Sequence, residues 1–173
     1  MDIFGKCGEV TDARLAQAAG LYPYFMPLDD TEGTEVTIGG KRLIMIGSNN
    51  YLGLTTDPRV RQASIEAVKR FGTSCTGSRF LNGTLALHDE LERRLAAYVG
   101  KQAALVFSTG YQTNLGTISA LVGRGDVAVT DKDDHASIVD GCKLSFGSTR
   151  RFNHNDLEHL ERVLQGLDEK AGR

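Results

Sequence analysis

The sequence predicts an α/β fold with an incomplete parallel-type sheet flanked by helices. From Gly100 onward, short apolar segments alternate with segments of helical periodicity. This alternation is typical of parallel strands that are connected by helices. Two helical segments with capping residues precede that region, and a short helix and a hairpin precede those.

Composition favours an ordinary globular protein. Hydrophobic residues make up 40% of the 173 residues and charged residues 24%, which is the usual balance for such domains. The net charge of -2 offers no basic surface for nucleic acid. No apolar run reaches the ~20 residues that a transmembrane helix needs. The three cysteines are odd in number and form no CxxC pair, so we expect a cytoplasmic protein, free or peripheral to the inner membrane.

The first part of the chain, residues 1–55, is expected to form a helix and a hairpin ahead of the main domain, residues 56–173. Residues 11–20 suit a short helix. Residues 35–46 suit a hairpin, because Gly39-Gly40 supplies a tight turn between two alternating segments.

Two helices open the main domain. Asp57 is the expected N-cap of the first helix, Pro58 suits its first position, and Gly72 ends it. After a glycine-rich stretch, apolar residues at helical spacing predict a second helix from Thr84 to Val99.

Three strand–helix units follow. The predicted strands are residues 103–107, 126–130 and 149–152, and the first two helices are residues 111–121 and 136–145. The third helix is expected to begin at an Asn155 cap, with Glu158 in capping-box position. The first strand is continuously apolar, which predicts burial on both faces within a parallel sheet of three strands.

Ligands of parallel α/β sheets bind beyond the carboxyl ends of the strands. The turn Ser108-Thr109-Gly110-Tyr111 lies there and opens a helix. Backbone N–H groups and the positive end of the helix dipole make such a turn suitable for phosphate. Thr109 adds a hydroxyl donor, and Gly110 allows close approach. Taken alone, the turn is a weak signal, and a purely structural connection is the favoured interpretation.

A second loop, residues 131–135, follows the next strand and ends at His135. A histidine there could stack on an aromatic ligand or exchange protons, or it could be the exposed residue of a helix-capping loop. Lys132 lies among aspartates that favour its charged form, which argues against a reactive lysine. The four histidines are not spaced as metal ligands, so no metal is expected.

Five blocks of the sequence, in order and in spacing, resemble the α-oxoamine synthase family. They are Ser48-Asn49-Asn50-Tyr51-Leu52-Gly53-Leu54, Gly77-Ser78-Arg79-Phe80-Leu81-Asn82-Gly83-Thr84, Phe107-Ser108-Thr109-Gly110-Tyr111, Asp134-His135-Ala136-Ser137-Ile138, and Phe152 with His154-Asn155-Asp156. The resemblance covers roughly residues 20–165. It implies the large domain of the aspartate-aminotransferase-like fold (fold type I) and a homodimer.

The resemblance also implies pyridoxal 5'-phosphate (PLP) as cofactor. In its terms, Thr109, Gly110 and Tyr111 bind the phosphate, and His135 stacks on the cofactor ring and orients the substrate. Asn50 matches a position near the amino-acid carboxylate. Arg79 could shape the dimer interface or form a structural ion pair.

Within this family the chain is most similar to members that condense L-serine with a long-chain acyl-CoA, with loss of carbon dioxide, in sphingolipid synthesis. One alternative is the alanine-using branch of biotin synthesis, which usually has Asp at the position of Asn50. Another is a non-catalytic partner subunit. No lysine of this chain matches the family's catalytic lysine, so we expect an N-terminal part of the enzyme that is inactive alone.

Overall fold

The structure is a computed structural model that describes residue 2, residues 4–8 and residues 11–167. The chain divides into two compact units, with the boundary between Cys75 and Thr76. The division into residues 1–55 and 56–173 stays a prediction. Within the described residues, no helix is long and apolar enough to cross a bilayer.

The N-terminal unit contains two α-helices and a three-stranded antiparallel sheet. Its elements are α1 (Thr11–Ala18), β1 (Asp30–Glu32), β2 (Glu35–Ile38), β3 (Lys41–Ile44) and α2 (Pro58–Phe71), with 3-10 turns at Gly5–Gly8 and Leu54–Thr56. The strand order is β1-β2-β3. The helix and hairpin predicted for this part are therefore confirmed. The strand β1 was not predicted, because its three residues are polar and exposed and carry no alternating apolar pattern.

The β2–β3 turn forms as its glycines predict. Gly39 and Gly40 have φ angles of 55° and 75°, which is the left-handed region that a two-residue hairpin turn requires. The carboxylate of Asp29 accepts a hydrogen bond from the Gly40 N–H at 3.1 Å and holds the turn against the preceding segment. Val36, on the middle strand, is the buried centre of this sheet.

Helix α2 begins and ends at the predicted residues. The Asp57 carboxylate accepts from the Arg59 N–H at 2.8 Å, Pro58 is the first helical residue, and Gly72 follows with a φ of 80°. Its apolar face is exposed, with Val60 at 42% and Val68 at 50% exposure.

The C-terminal unit combines four helices with a parallel strand pair. Its elements are α3 (Ala86–Tyr98), α4 (Gly110–Leu121), β4 (Val127–Asp131), α5 (Ala136–Leu144), β5 (Ser148–Phe152) and α6 (Leu157–Gln165). The pair β4–β5 runs in register from Val127 opposite Ser148 to Asp131 opposite Phe152. Helix α3 starts two residues later than the predicted Thr84, because the Nδ1 of His88 accepts from the Leu85 N–H and closes the first turn there.

The predicted strand at residues 103–107 is wrong. This segment belongs to no sheet, and Leu105 is 68% exposed. A strand exists only when a neighbour completes its ladder of hydrogen bonds, and β4 pairs only with β5 among the described residues. Consequently the three-stranded parallel sheet that was predicted is also wrong, and the sheet has two strands.

Side chains replace that ladder at the end of the segment. Glu92 of α3 accepts from the Val106 N–H at 2.8 Å, and Arg79 donates to the Val106 carbonyl at 3.4 Å. Arg79 and Glu92 form a two-point ion pair, with the second contact at 3.1 Å. These three residues form what we call the strand clip. It fixes the backbone just ahead of α4, and it agrees with the ion-pair alternative for Arg79.

The predicted cap of α6 is also wrong. The N-cap is Asp156, whose carboxylate accepts from the His159 N–H at 2.8 Å. Asn155 instead adopts a left-handed φ of 57° and turns the chain into the helix. Asparagine tolerates this region better than most residues, so it serves as the turn residue and leaves the cap to its neighbour.

Helices α4 and α5 pack closely at one glycine. A Cβ atom added to Gly141 would lie 3.0 Å from the Cβ of Ile118 and 3.1 Å from the Asn114 carbonyl oxygen. Only a residue without a side chain lets the two backbones approach to this distance. Cys142, beside it, is among the few buried apolar residues of the described chain.

The strand clip predicts a pH-dependent stability. The hydrogen bond from Arg79, followed by that from the Val106 N–H, lowers the pKa of Glu92 to about 2. A lowered pKa contributes stability at pH values above the ordinary 4.5, and that stability is lost as the pH falls from 4.5 towards 2. Glu92→Gln should therefore have a lower free energy of unfolding than the wild type at neutral pH. This difference should decrease as the pH falls from 4.5 towards 2, and urea unfolding at a series of pH values measures it.

Glu90→Gln is the matched control. Glu90 pairs with Arg93 and Arg94 on the same helix, and among the described residues no hydrogen bond or ion pair joins it to residues 101–107. Its loss should leave hydrogen exchange of the Val106 amide unchanged, whereas Glu92→Ala should accelerate it. An equal acceleration in both variants would contradict the strand clip.

Candidate active site

The two loops predicted to carry chemistry meet at the first turns of α4 and α5. The ring centroids of Tyr111 and His135 lie 6.2 Å apart, at an interplanar angle of 73°. Further along, the Asn114 side chain contacts Ser137, and Gly141 lies against Ile118. Because residue numbers rise in the same direction along both helices from one contact to the next, α4 and α5 run parallel. Their positive N-terminal ends therefore lie side by side.

The turn before α4 offers free backbone donors. Thr109 is the N-cap, and its hydroxyl oxygen accepts from the Gln112 N–H at 3.1 Å. Among the described residues, the Gly110 and Tyr111 N–H groups donate no hydrogen bond. The first N–H groups of a helix have no partner within it, so they are available to a ligand. Apart from the chain neighbours of Gly110 and the adjoining backbone of α4, no described atom lies within 4 Å of where a Gly110 Cβ would be, so a methyl group fits at this position.

This donor set fits a phosphate group. Two N–H groups, the Thr109 hydroxyl proton and a helix N-terminus all favour a bound anion. An open cavity of about 450 Å³, lined in part by Ser108 and Gln112, adjoins the turn, and His135 is not among its lining residues.

His135 is both exposed and the N-cap of α5. Its Nδ1 accepts from the Ser137 N–H at 3.2 Å and lies 2.8 Å from the Ser137 hydroxyl oxygen. The capping function that the sequence left open is thus present, and it does not occupy the ring faces. An exposed ring with a fixed edge can still stack on a flat ligand.

A hydrogen bond between Tyr111 of α4 and Asp140 of α5 also links the two helices. The Tyr111 hydroxyl donates to the Asp140 carboxylate, and the Lys143 ammonium group lies 3.2 Å from that carboxylate. The hydrogen bond from Tyr111 and then that from Lys143 lower the pKa of Asp140, and the same bond raises the pKa of Tyr111. Sequence reasoning missed this link, since only the fold brings residues 29 positions apart into contact.

Asn50 belongs to the N-terminal unit. Its side-chain oxygen accepts from the Thr55 N–H at 3.3 Å, and its own N–H donates to the Ser48 hydroxyl at 2.9 Å. These bonds hold a tight loop in which Gly53 has a φ of 65°. The contact of Asn50 with a substrate carboxylate stays a prediction.

A second polar cluster lies at the carboxyl ends of β4 and β5. His154 Nδ1 lies 3.0 Å from the Asp131 carboxylate, which also accepts from the Asp133 N–H at 2.8 Å. One ligand-type atom from each of these three residues lies within 4.8 Å of the others. The Asp133 N–H, and secondly His154, lower the pKa of Asp131. The absence of a metal stays a prediction.

Comparison with known proteins identifies the family. The family model for aminotransferase class I and II matches residues 41–172. The chain belongs to this family. The match covers the candidate phosphate turn, His135 and Asn50, and it extends over both units of the structure.

The relatives within the family include serine palmitoyltransferases and 8-amino-7-oxononanoate synthases. The chain is 50% identical to a serine palmitoyltransferase of Sphingobacterium spiritivorum over 91% of its own length and 39% of that protein. It is 52% identical to a serine palmitoyltransferase of Bacteriovorax stolpii, and 48% identical to an 8-amino-7-oxononanoate synthase of Geobacter sulfurreducens. These are the two branches that the sequence resemblance predicts, in the same order.

Solved structures confirm the aminotransferase-like fold. The serine palmitoyltransferase of S. paucimobilis with bound PLP-myriocin aldimine is 40% identical, with a TM-score of 0.92 over 98% of this chain and 43% of that one. The serine palmitoyltransferase of Sphingomonas wittichii is 41% identical, with a TM-score of 0.89. This member of the family thus spans 39% of the first curated relative and 43% of the first structure.

The Tyr111–Asp140 contact is testable by titration. Tyr111→Phe should raise the pKa of Asp140 towards its ordinary value of 3.8, because it removes the hydrogen bond that lowers this pKa most. The carboxyl ¹³C resonance of Asp140, followed against pH, measures the change. Lys143→Gln is the matched control and should give a smaller rise. An Asp140 pKa that Tyr111→Phe leaves unchanged would contradict the geometry.

Proposed function

We propose that this chain provides the PLP-phosphate and ring-stacking elements of an acyltransferase that condenses L-serine with a long-chain acyl-CoA, with loss of carbon dioxide. The observation that carries the proposal is the placement of two free N–H groups, on Gly110 and Tyr111, beside the exposed ring of His135. Hydrogen-bond donors that can bind an anion, next to a flat ring, suit a ligand that joins a phosphate to an aromatic ring. PLP is such a ligand.

Each residue has a distinct function in this proposal. Gly110 and Tyr111 donate backbone hydrogen bonds to the phosphate, and Thr109 adds its hydroxyl proton. His135 lies against the cofactor ring and excludes water from one face. Asn50 contacts the amino-acid carboxylate. When bound, PLP supplies the electron sink that stabilises a carbanion next to the amino group.

The substrate assignment follows from relatives. Two serine palmitoyltransferases are 50% and 52% identical to this chain, and they support serine and an acyl-CoA as substrates and sphingolipid synthesis as the pathway. The 8-amino-7-oxononanoate synthase at 48% identity supports alanine and a pimeloyl thioester as the second candidate. Asn50, where that branch usually has Asp, favours serine.

The remaining parts of the proposal concern assembly and location. We include a homodimer and a cytoplasmic location, free or peripheral to the inner membrane. The odd cysteine count supports a reducing compartment. A non-catalytic partner subunit would need neither His135 nor a phosphate turn, and the presence of both favours the enzyme.

Gly110→Pro tests the phosphate site directly. Proline suits the first helical position, and Thr109, with a ψ of 155°, has the extended conformation that a residue before proline prefers. The substitution therefore removes one N–H donor and keeps the helix. A hydrogen bond to a charged group contributes about 1.5–3 kcal/mol, so the dissociation constant for PLP should rise by about 10- to 100-fold. Fluorescence titration measures it.

Gly110→Ala is the matched control, because it keeps the N–H and places its methyl group in open space. It should bind PLP close to the wild-type affinity, and circular dichroism should show the same helix content in all three proteins. Pyridoxal, which lacks the phosphate, should not distinguish the variants. Wild-type PLP affinity in Gly110→Pro would contradict the proposed site.

The chain alone is expected to be inactive. Lys132 is exposed in a loop beside Asp133 and Asp134, and no lysine of the chain matches the family's catalytic lysine, which would form the covalent bond to PLP. Incubation with one equivalent of PLP followed by borohydride should leave the intact mass unchanged. Serine and palmitoyl-CoA should give no product. Stoichiometric labelling or turnover would contradict this expectation.

A further inference from the structure

The Nδ1 atom of His135 lies next to the backbone N–H of Ser137, which can donate a hydrogen bond but cannot accept one. The distance between the two nitrogens is 3.2 Å. Nδ1 must therefore present its lone pair, and a neutral imidazole in that arrangement carries its proton on Nε2. Ser137 is 0% exposed, so its N–H has no access to water as another partner.

The hydroxyl of Ser137 reinforces this arrangement. Its oxygen accepts from the Asn114 side-chain amide at 2.9 Å and lies 2.8 Å from His135 Nδ1. Because the oxygen accepts on the Asn114 side, its own proton is available to Nδ1. The three side chains thus form one directed chain of hydrogen bonds from α4 to the first turn of α5, and members of such a chain polarise one another.

We propose that Asn114 and Ser137 are positioning residues, which hold His135 as its Nε2–H tautomer and fix the plane of its ring. The Nε2–H, on the far side of the ring from this network, is then a hydrogen-bond donor to an oxygen acceptor on the bound ligand. That role towards a ligand rests on the proposed function, whereas the tautomer does not.

Asn114→Asp reverses the direction of the chain. The new carboxylate can only accept, so it takes the Ser137 hydroxyl proton. The Ser137 oxygen then turns a lone pair towards Nδ1 and favours a proton on that nitrogen. The side chain keeps nearly the same shape, so a change in the His135 tautomer reports the hydrogen bonds and not the packing.

Nitrogen NMR of the histidine rings tests the proposal. Long-range ¹H–¹⁵N correlation distinguishes protonated from unprotonated ring nitrogens, and spectra are recorded about two pH units above the ordinary histidine pKa of about 6.5. The His135 signal is assigned with His135→Gln. In the ligand-free wild type, Nδ1 should have the shift of an unprotonated nitrogen. In Asn114→Asp, the ratio of the Nε2–H to the Nδ1–H tautomer should fall several-fold.

Two other histidines are internal references. The Nδ1 of His88 accepts from the Leu85 N–H at 2.9 Å, and that of His159 accepts from the Asn153 N–H at 3.1 Å. Both should remain Nε2–H tautomers in the wild type and in Asn114→Asp. A protonated Nδ1 of His135 in the wild type overturns the proposal, even if the variant does not fold. An unchanged tautomer ratio in a folded variant overturns the part played by Asn114.

The experiment contains no cofactor, so its result is independent of the proposed function. If the wild type shows the expected tautomer but does not bind PLP in a separate titration, only the cofactor proposal is rejected. If it binds PLP but has a protonated Nδ1 on His135, only the positioning proposal is rejected.

Discussion

The close approach of α4 and α5 at Gly141 is the constraint on which the candidate site depends. A Cβ at this position would lie 3.0 Å from Ile118 and 3.1 Å from the Asn114 carbonyl, so any larger residue would push the helices apart. At the observed separation, the short side chain of Asn114 reaches Ser137 and the Tyr111 hydroxyl reaches Asp140. Both links would lengthen beyond hydrogen-bonding distance with a modest displacement. One glycine therefore brings together a phosphate-type turn and an exposed imidazole that lie at the starts of different helices.

The two helix N-termini are used differently, and this difference gives the site its chemistry. At α4 the hydroxyl oxygen of the cap residue Thr109 accepts from the Gln112 N–H, and the N–H groups of Gly110 and Tyr111 remain available to a ligand. At α5 the cap is His135 itself, so the ring is held by the helix it caps. The strand clip of Arg79, Glu92 and Val106 fixes the approach to the first of these turns. An anion site is thus placed next to an exposed histidine whose Nδ1 edge is fixed by hydrogen bonds.

Sequence patterns predicted the parts of the fold that local interactions determine. Asp57, Pro58 and Gly72 mark the ends of α2, and Gly39-Gly40 form the hairpin turn, because capping and turn geometry depend on neighbouring residues alone. Residues 103–107 were predicted as a strand from their apolar character, but a strand also needs a partner, and none pairs with them among the described residues. The candidate site divides in the same way. Its turn and histidine were predicted, whereas the Asn114–Ser137 and Tyr111–Asp140 links depend on helix packing that no local pattern encodes.

In the proposed site, one ligand engages the α4 turn and the His135 ring together. Amide and ring ¹H–¹⁵N spectra recorded during a PLP titration test this arrangement. The Gly110 and Tyr111 amide signals and the His135 ring signals should shift with a single dissociation constant, and pyridoxal at the same concentrations should leave the two amides unchanged. Amide shifts at saturation with no change at His135, or two distinct dissociation constants, would contradict it.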